Sequence, residues 1–86
     1  ATEVSLRYAD FDGNAHLNNT AFLDALQTAL HRQGRPARPR EVEVQFLKEV
    51  PPTVAAIAVA LEPRAEGTRV GWSSADGLHA QGVVRD

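Results

Sequence analysis

The chain has 86 residues, no cysteine and a formal net charge of −2, which indicates one small domain without disulfide bonds or metal–thiolate sites. The weakly acidic balance argues against a nucleic-acid binder, and no apolar run approaches the ~20 residues of a membrane span. No signal peptide is recognisable and the histidines lack ligand spacing, so we expect a cytoplasmic protein without metal or cofactor.

A domain of this size is marginally stable by itself, because it buries only about 60 % of the surface of its unfolded chain. We therefore expect a partner surface, supplied by a second copy or by another domain. The sequence starts with Ala1 and contains no methionine, which favours a fragment of a longer polypeptide.

The first elements are a short strand, a polar loop and a helix. Residues 4–8 alternate apolar and polar side chains, as in a strand, and a loop over 10–19 follows. Apolar residues at helical spacing predict a helix over 20–33, capped by one of the polar residues at 18–20 and stopped by Gly34. Its apolar stripe comprises Phe22, Ala25, Leu26, Ala29 and Leu30.

The remainder of the chain predicts four strands after a connector rich in proline and arginine. Asp76-Gly77 signals a tight hairpin, the segment 63–67 a turn, and Gly71 a bulge. The run 54–61 is almost wholly apolar, as in a strand covered on both faces. The predicted strands are 42–46, 54–61, 68–74 and 78–84.

The element order is thus β-α-β-β-β-β. One helix and an antiparallel sheet must form two layers, with the apolar stripe of the helix packed on one face of the sheet. The predicted fold class is α+β, one long helix packed on an antiparallel β-sheet.

The loop before the helix concentrates groups that donate, accept or ionise. A solvated loop has no physical need for them, whereas a site that orients water and polarises a carbonyl does. The alternative is local: residues 12 and 14 flank Gly13 as in a turn, and a loop histidine can bond the backbone. The groups belong to Asp10, Asp12, Asn14, His16, Asn18 and Asn19.

This loop resembles the signature of fatty acyl-ACP thioesterases and, more loosely, that of the 4-hydroxybenzoyl-CoA thioesterase group. The family pattern runs Asp-x-Asn-x-His-Val-Asn-Asn with an aromatic three residues on, and residues 12–19 match it apart from Leu17. Phe46-Leu47-Lys48-Glu49 is a second match, and the hairpin 72–77 resembles the closing strands. The likeness covers most of the chain and implies a hotdog fold. Departures that leave the shape of the acyl pocket open are Ala25, Thr28 and Val50.

The resemblance implies an acyl thioesterase that hydrolyses acyl-ACP or acyl-CoA to a free fatty acid and a thiol. Its partners would be the carrier of the substrate and a second hotdog domain, in tandem with this chain as the C-terminal half, or in a homodimer. That second domain would pack on the sheet edge or on alanines of the helix side. The implied catalytic residues are Asp12, Asn14, His16 and Glu49, and Asn18, Asn19 and Phe22 are candidates for substrate binding.

The resemblance also suggests roles for this set. Glu49 or Asp12 would act as the base or orient the water, His16 would share their proton network, and Asn14 would position the water or polarise the carbonyl. Backbone N–H groups at the helix start would form the oxyanion site. Without the resemblance, Glu49 is an ordinary solvated charge and the two asparagines at 18 and 19 suit helix caps.

Arginines cluster around the connector and suit either a solvated loop or a docking patch for an acidic carrier or for CoA phosphates. Arg38 and Arg40 are the candidates for the second role. His31 and His79 are expected at the surface or on a strand face, and Trp72 in the core or an interface.

Two other functions remain open at the level of the sequence. One is a hotdog dehydratase or hydratase, although the chain has no His-Phe-Pro segment. The other is a non-catalytic acyl-binding or structural half of a tandem protein, which would not need the polar cluster.

Overall fold

The chain folds as one helix on a five-stranded antiparallel sheet. A computed structural model describes residues 2–7, 17–35 and 40–85. The elements in chain order are β1 (Thr2–Ser5), α1 (Asn19–Arg32), β2 (Glu41–Phe46), β3 (Ala56–Arg64), β4 (Gly67–Ser74) and β5 (Gly77–Arg85). The predicted two-layer α+β class and element order are therefore confirmed.

Helix α1 lies within one residue of its predicted bounds because both ends carry strong local signals. Asn18 is the N-cap, and its Oδ1 accepts a hydrogen bond from the amide of Thr20 at 2.9 Å. At the other end Gly34 adopts a φ of 70°, and its amide and that of Arg35 bond back to the carbonyls of His31 and Leu30. This pattern is a Schellman motif, which satisfies the last carbonyls of the helix.

The sheet has the strand order β1-β3-β4-β5-β2, so β1 and β2 form its edges. Two-residue connections join β3 to β4 and β4 to β5, as the predicted hairpin requires. Strand β2 returns to the far edge and pairs with β5, which brings the end of β2, at Phe46, opposite Ala80.

The core lies between the helix and one face of the sheet. All five residues of the predicted stripe are buried, as are Ile57, Val59, Val70 and Trp72 of the central strands. The indole Nε1 of Trp72 donates to the carbonyl oxygen of Phe22 at 2.9 Å. Trp72 therefore fixes the first turns of the helix to the middle of the sheet.

The structure corrects four details of the strands. The first strand begins at Thr2 and its regular pairing ends at Ser5, with Tyr8 outside the described residues. Strand β3 is buried on the helix side only, since Ala60 on its other face is exposed. The bulge is in β5, where His79 is the extra residue opposite the step from Trp72 to Ser73, and not at Gly71, which pairs regularly with Ala60 and Gln81.

The fourth correction concerns Pro63, which was expected in a turn but lies in β3 opposite Thr68. Strand β1 reaches only to Val59, so the end of β3 has one neighbour, β4, among the described residues. Proline lacks an N–H donor and is tolerated where one side of a strand is unpaired.

Candidate active site

A cleft of about 320 Å³ opens at the start of α1, between the helix and the segment that leaves β2. Three of the predicted site residues share it although they are separated in the sequence: Asn19 and Phe22 from the helix, and Glu49 from the segment after β2. The remaining lining residues are Leu17, Phe46, Leu47, Lys48 and Val50.

Aromatic rings form the apolar side of this cleft. Phe22 is buried, and its ring meets those of Phe46 and Trp72 edge to face, with centroids 5.1 and 5.9 Å away. Phe46, in contrast, is 49 % exposed at the end of the edge strand. Offset and T-shaped ring pairs are favourable geometries, so the three rings form a packed apolar wall, of which Phe46 is the exposed outer part.

The polar groups at the start of the helix are partly committed to its cap. Besides the amide of Thr20, the Oδ1 of Asn18 accepts from the Thr20 hydroxyl, and the carbonyl of Asn18 accepts from the amide of Ala21 at 2.9 Å. Two of the amides expected to serve an oxyanion are thus satisfied by Asn18, which takes the capping role. Asn19 is exposed and lines the cleft.

Glu49 lies between two fixed neighbours. The amides of Leu47 and Lys48 both donate to the carbonyl of His79, at 2.8 and 3.1 Å, and Val50 is buried. The Nζ of Lys48 also donates to the carbonyl of Asp76 at 2.7 Å. The exposed carboxylate of Glu49 is therefore presented from a segment held on both sides.

His79 is the residue that sequence reasoning missed. It was expected at the surface or on a strand face, but it is fully buried in the bulge of β5. Its Nε2 lies 2.6 Å from the Oγ of Ser74, and its Nδ1 lies 3.2 Å from the carbonyl oxygen of Lys48. No pattern in the sequence marks this position, because the bulge depends on pairing between strands.

The other predicted site residues fall into two groups. Asp12, Asn14, His16 and Arg38 lie outside the described residues, as does Asp10. Arg40 is exposed, and its amide bonds to the carbonyl of Arg85 at the far end of β2. At ~3.3 Å per residue this places it about 20 Å from Phe46 and the cleft.

Two further arginines of the connector cluster are engaged in the fold. Arg32 donates to the carbonyl of Glu3 at 2.8 Å, and Arg35 donates to the hydroxyl of Thr68 at 2.5 Å. Arg32 therefore joins α1 to the sheet and Arg35 joins the segment just after α1 to it, which accounts for both without a ligand.

The described part of the chain contains neither a helix suited to crossing a membrane nor a cluster of metal-binding side chains. Within residues 2–7, 17–35 and 40–85 no helix has the length and apolarity to cross a membrane. Across the same ranges, no three side chains of His, Asp or Glu gather as a metal site.

Comparison with known proteins identifies both a family and a fold. The model of the family described as acyl-ACP thioesterase C-terminal domain matches residues 1–71. No curated protein sequence matches the chain.

Two solved structures share the fold. One is a thioesterase from Thermus thermophilus in complex with coenzyme A and zinc, with a TM-score of 0.75 and 19 % identity over 96 % of this chain and 73 % of the other. The second is the hypothetical protein TT1821 from Thermus thermophilus, with a TM-score of 0.67 and 17 % identity over 96 % and 78 %.

Proposed function

The chain belongs to the family of acyl-ACP thioesterase C-terminal domains, within the hotdog-fold thioesterases, and from this membership we propose that it hydrolyses acyl-ACP or acyl-CoA in the cleft at the start of α1. Hydrolysis of thioesters in general follows from the family. The proposal concerns two finer points, namely the carrier of the acyl group and the residues that perform the reaction.

One observation carries it. Glu49, far along the chain from the polar loop, lines the same cleft as Asn19 and Leu17. Leu17 directly follows His16 in the sequence, and the proposal therefore takes Asp12, Asn14 and His16 to act at this cleft. A carboxylate, an imidazole and carboxamides beside an apolar wall are what water attack on an acyl thioester requires.

The reaction divides the proton transfers between these groups. Glu49 or Asp12 accepts a proton from a water as its oxygen attacks the thioester carbonyl carbon, with His16 sharing the proton network. Asn14 and the positive end of the helix dipole stabilise the oxyanion. Collapse of the tetrahedral intermediate breaks the C–S bond, and the base returns the proton taken from the water to the sulfur, which leaves as the free thiol.

The acyl chain would lie against Phe22 and Phe46. Phe46 is half exposed at the edge of the sheet, so it can contact a ligand without loss of the core. Burial of apolar surface contributes about 25 cal/mol per Å², which favours an acyl group over a small polar one at this wall. The larger carrier stays outside, where Arg38 and Arg40 are the proposed contacts for its acidic groups.

We further propose that a second hotdog domain, in tandem or as a second copy, pairs along an edge of the sheet. The alanines of helix α1 cannot contact a second domain, because Ala21, Ala25 and Ala29 are buried in the core of this domain. Edge strand β2 keeps Val42 and Val44 only half buried, so a neighbouring strand there would cover them.

The test is release of thiol from matched panels of acyl-ACP and acyl-CoA of increasing chain length. Asp12→Ala and Glu49→Gln should each lower kcat by about 10²- to 10⁴-fold, the usual contribution of a general base. Glu66→Gln is the matched control, because Glu66 is exposed in the turn between β3 and β4, away from the cleft.

Each outcome has a separate meaning. Full activity of Glu49→Gln would remove Glu49 from the catalytic set, and full activity of both variants would refute the carboxylate mechanism. A folded, paired wild-type protein without turnover on any substrate would favour a binding or structural domain. A raised KM for acyl-ACP alone in Arg38→Ala/Arg40→Ala would assign these arginines to the carrier.

A further inference from the structure

The buried pair Ser74–His79 forms a hydrogen-bonded chain that ends on the segment carrying Glu49. The Oγ of Ser74 accepts the amide of Asp76 at 3.1 Å and lies 2.6 Å from the Nε2 of His79. The carbonyl oxygen of Lys48, 3.2 Å from the Nδ1 of His79, can only accept, so the Nδ1–H donates to it and the Ser74 hydroxyl is the partner of Nε2.

The bulge creates this arrangement. Ala80 pairs with Trp72 and Leu78 pairs with Ser73, which leaves His79 as the extra residue of β5. Regular alternation would place the side chains of residues 79 and 80 on opposite faces. The bulge instead brings the ring of His79 into the interior, where it is fully buried.

His79 holds the neighbouring segment with its backbone as well as its ring. Its carbonyl accepts the amides of Leu47 and Lys48, while its ring bonds the carbonyl of Lys48. Three hydrogen bonds from one buried residue therefore fix the two residues that precede Glu49. Such support of a reacting group by buried neighbours restricts it to productive geometry.

We propose that Ser74 and His79 are positioning residues that hold the segment Leu47–Glu49 so that the Glu49 carboxylate faces the cleft. This rests on the proposed function, because Glu49 matters only if the cleft is catalytic. His79 is not among the residues that line the cleft, so its effect on the reaction passes through Lys48.

Two variants at position 79 separate the hydrogen bond from the ring to the carbonyl of Lys48, which we call the tether, from the volume that the ring fills. His79→Leu fills the space without a donor and should lower kcat about 10- to 100-fold, the cost of a slightly misplaced group, with KM changed less than about threefold. His79→Asn places an amide N–H where Nδ1–H stood and should restore kcat to within about threefold of wild type. Ser74→Ala, which frees the ring but leaves the tether, should cost about 3- to 10-fold.

Two control variants test whether the loss of any serine or histidine would have the same effect. Ser73→Ala removes the neighbouring hydroxyl of β4, which faces the other side of the sheet. His31→Asn removes an exposed imidazole near the end of α1. Both should keep the kcat and KM of the wild-type protein.

Hydrogen exchange gives a readout that does not depend on turnover. The amides of Leu47 and Lys48 should exchange about tenfold faster in His79→Leu than in the wild type and recover in His79→Asn, while the amide of Leu26 in the helix stays unchanged. If the wild-type chain cleaves no thioester, the proposed function fails, and these amides still decide whether His79 is the tether.

The proposal is overturned if folded His79→Leu keeps wild-type kcat, or if His79→Asn is as impaired as His79→Leu. It is also overturned if exchange rises equally in the segment and in the helix, because His79 would then be an ordinary core residue. Should His79→Leu fail to fold, His79→Asn and Ser74→Ala decide the question by their kcat and exchange.

Discussion

Gly82 is the glycine whose replacement should damage the fold most. It lies in β5 between Val44 of β2 and Val70 of β4. A methyl group at this position would overlap the carbonyl oxygen of Glu43 and come within 3.2 Å of the Cα of Val44. Both are backbone atoms of a paired strand, which cannot rotate away as a side chain can, so Gly82→Ala must push β2 from β5.

The expected cost follows from two opposing terms. Overpacking destabilises the folded state by about 1–3 kcal/mol, and by more where the backbone must move. In the opposite direction, alanine restricts the unfolded chain more than glycine does, which stabilises the protein by about 0.4–1 kcal/mol. We expect Gly82→Ala to lower the free energy of unfolding by about 2–4 kcal/mol, against a total of roughly 4–13 kcal/mol for a chain of this length. The Tm should fall by roughly 10–30 °C.

Gly71→Ala is the matched control, one strand away in the same sheet. Its new methyl would meet only Cδ1 of Leu78 at 3.5 Å, an ordinary contact, and its φ is not positive. Its stability should equal that of the wild type or exceed it by about 0.5 kcal/mol. Urea unfolding followed by the fluorescence of Trp72, the single tryptophan, measures both variants.

The reasoning is refuted if Gly82→Ala unfolds within about 0.5 kcal/mol of wild type, the usual range of surface substitutions. Equal losses in the two variants would also refute it, because the cause would then be a general need for glycine in the sheet rather than the carbonyl of Glu43.

Three further stability predictions concern the ends and the anchor of the helix. Asn18→Ala removes the acceptor for the amide of Thr20 and should cost about 1 kcal/mol in chemical denaturation, whereas Asn18→Asp should retain the cap. Gly34→Ala forces a methyl into a φ of 70° and should cost about 1–2 kcal/mol, seen as a lowered Tm. Trp72→Phe loses the bond to the carbonyl of Phe22 and leaves a gap, so calorimetry should show a loss of about 2–3 kcal/mol.

The helix could be predicted from the sequence because its signals are local. The apolar stripe, a capping asparagine and Gly34 all act within one turn of the residues that they specify. Alternation and the Asp76-Gly77 signal are also local, which is why β2 and the hairpin between β4 and β5 lie where expected.

What could not be predicted depends on which strand lies beside which. Pro63 continues β3 opposite Thr68 of β4, a fact of strand pairing rather than of composition. The bulge at His79 arises from the register between β4 and β5, and Gly71, the residue that suggested a bulge, pairs regularly. Burial of His79 follows from that register alone.

The candidate site combines both kinds of information. Its first half, the polar loop and the start of α1, is continuous in the sequence and therefore carries a recognisable motif. Its second half reaches the cleft because β2 runs beside β5, whose bulge holds the residues before Glu49. The same strand direction carries Arg40 about 20 Å away from the cleft. If Arg40 contacts the carrier as proposed, the acyl thioester has to span this distance along the domain to reach Glu49.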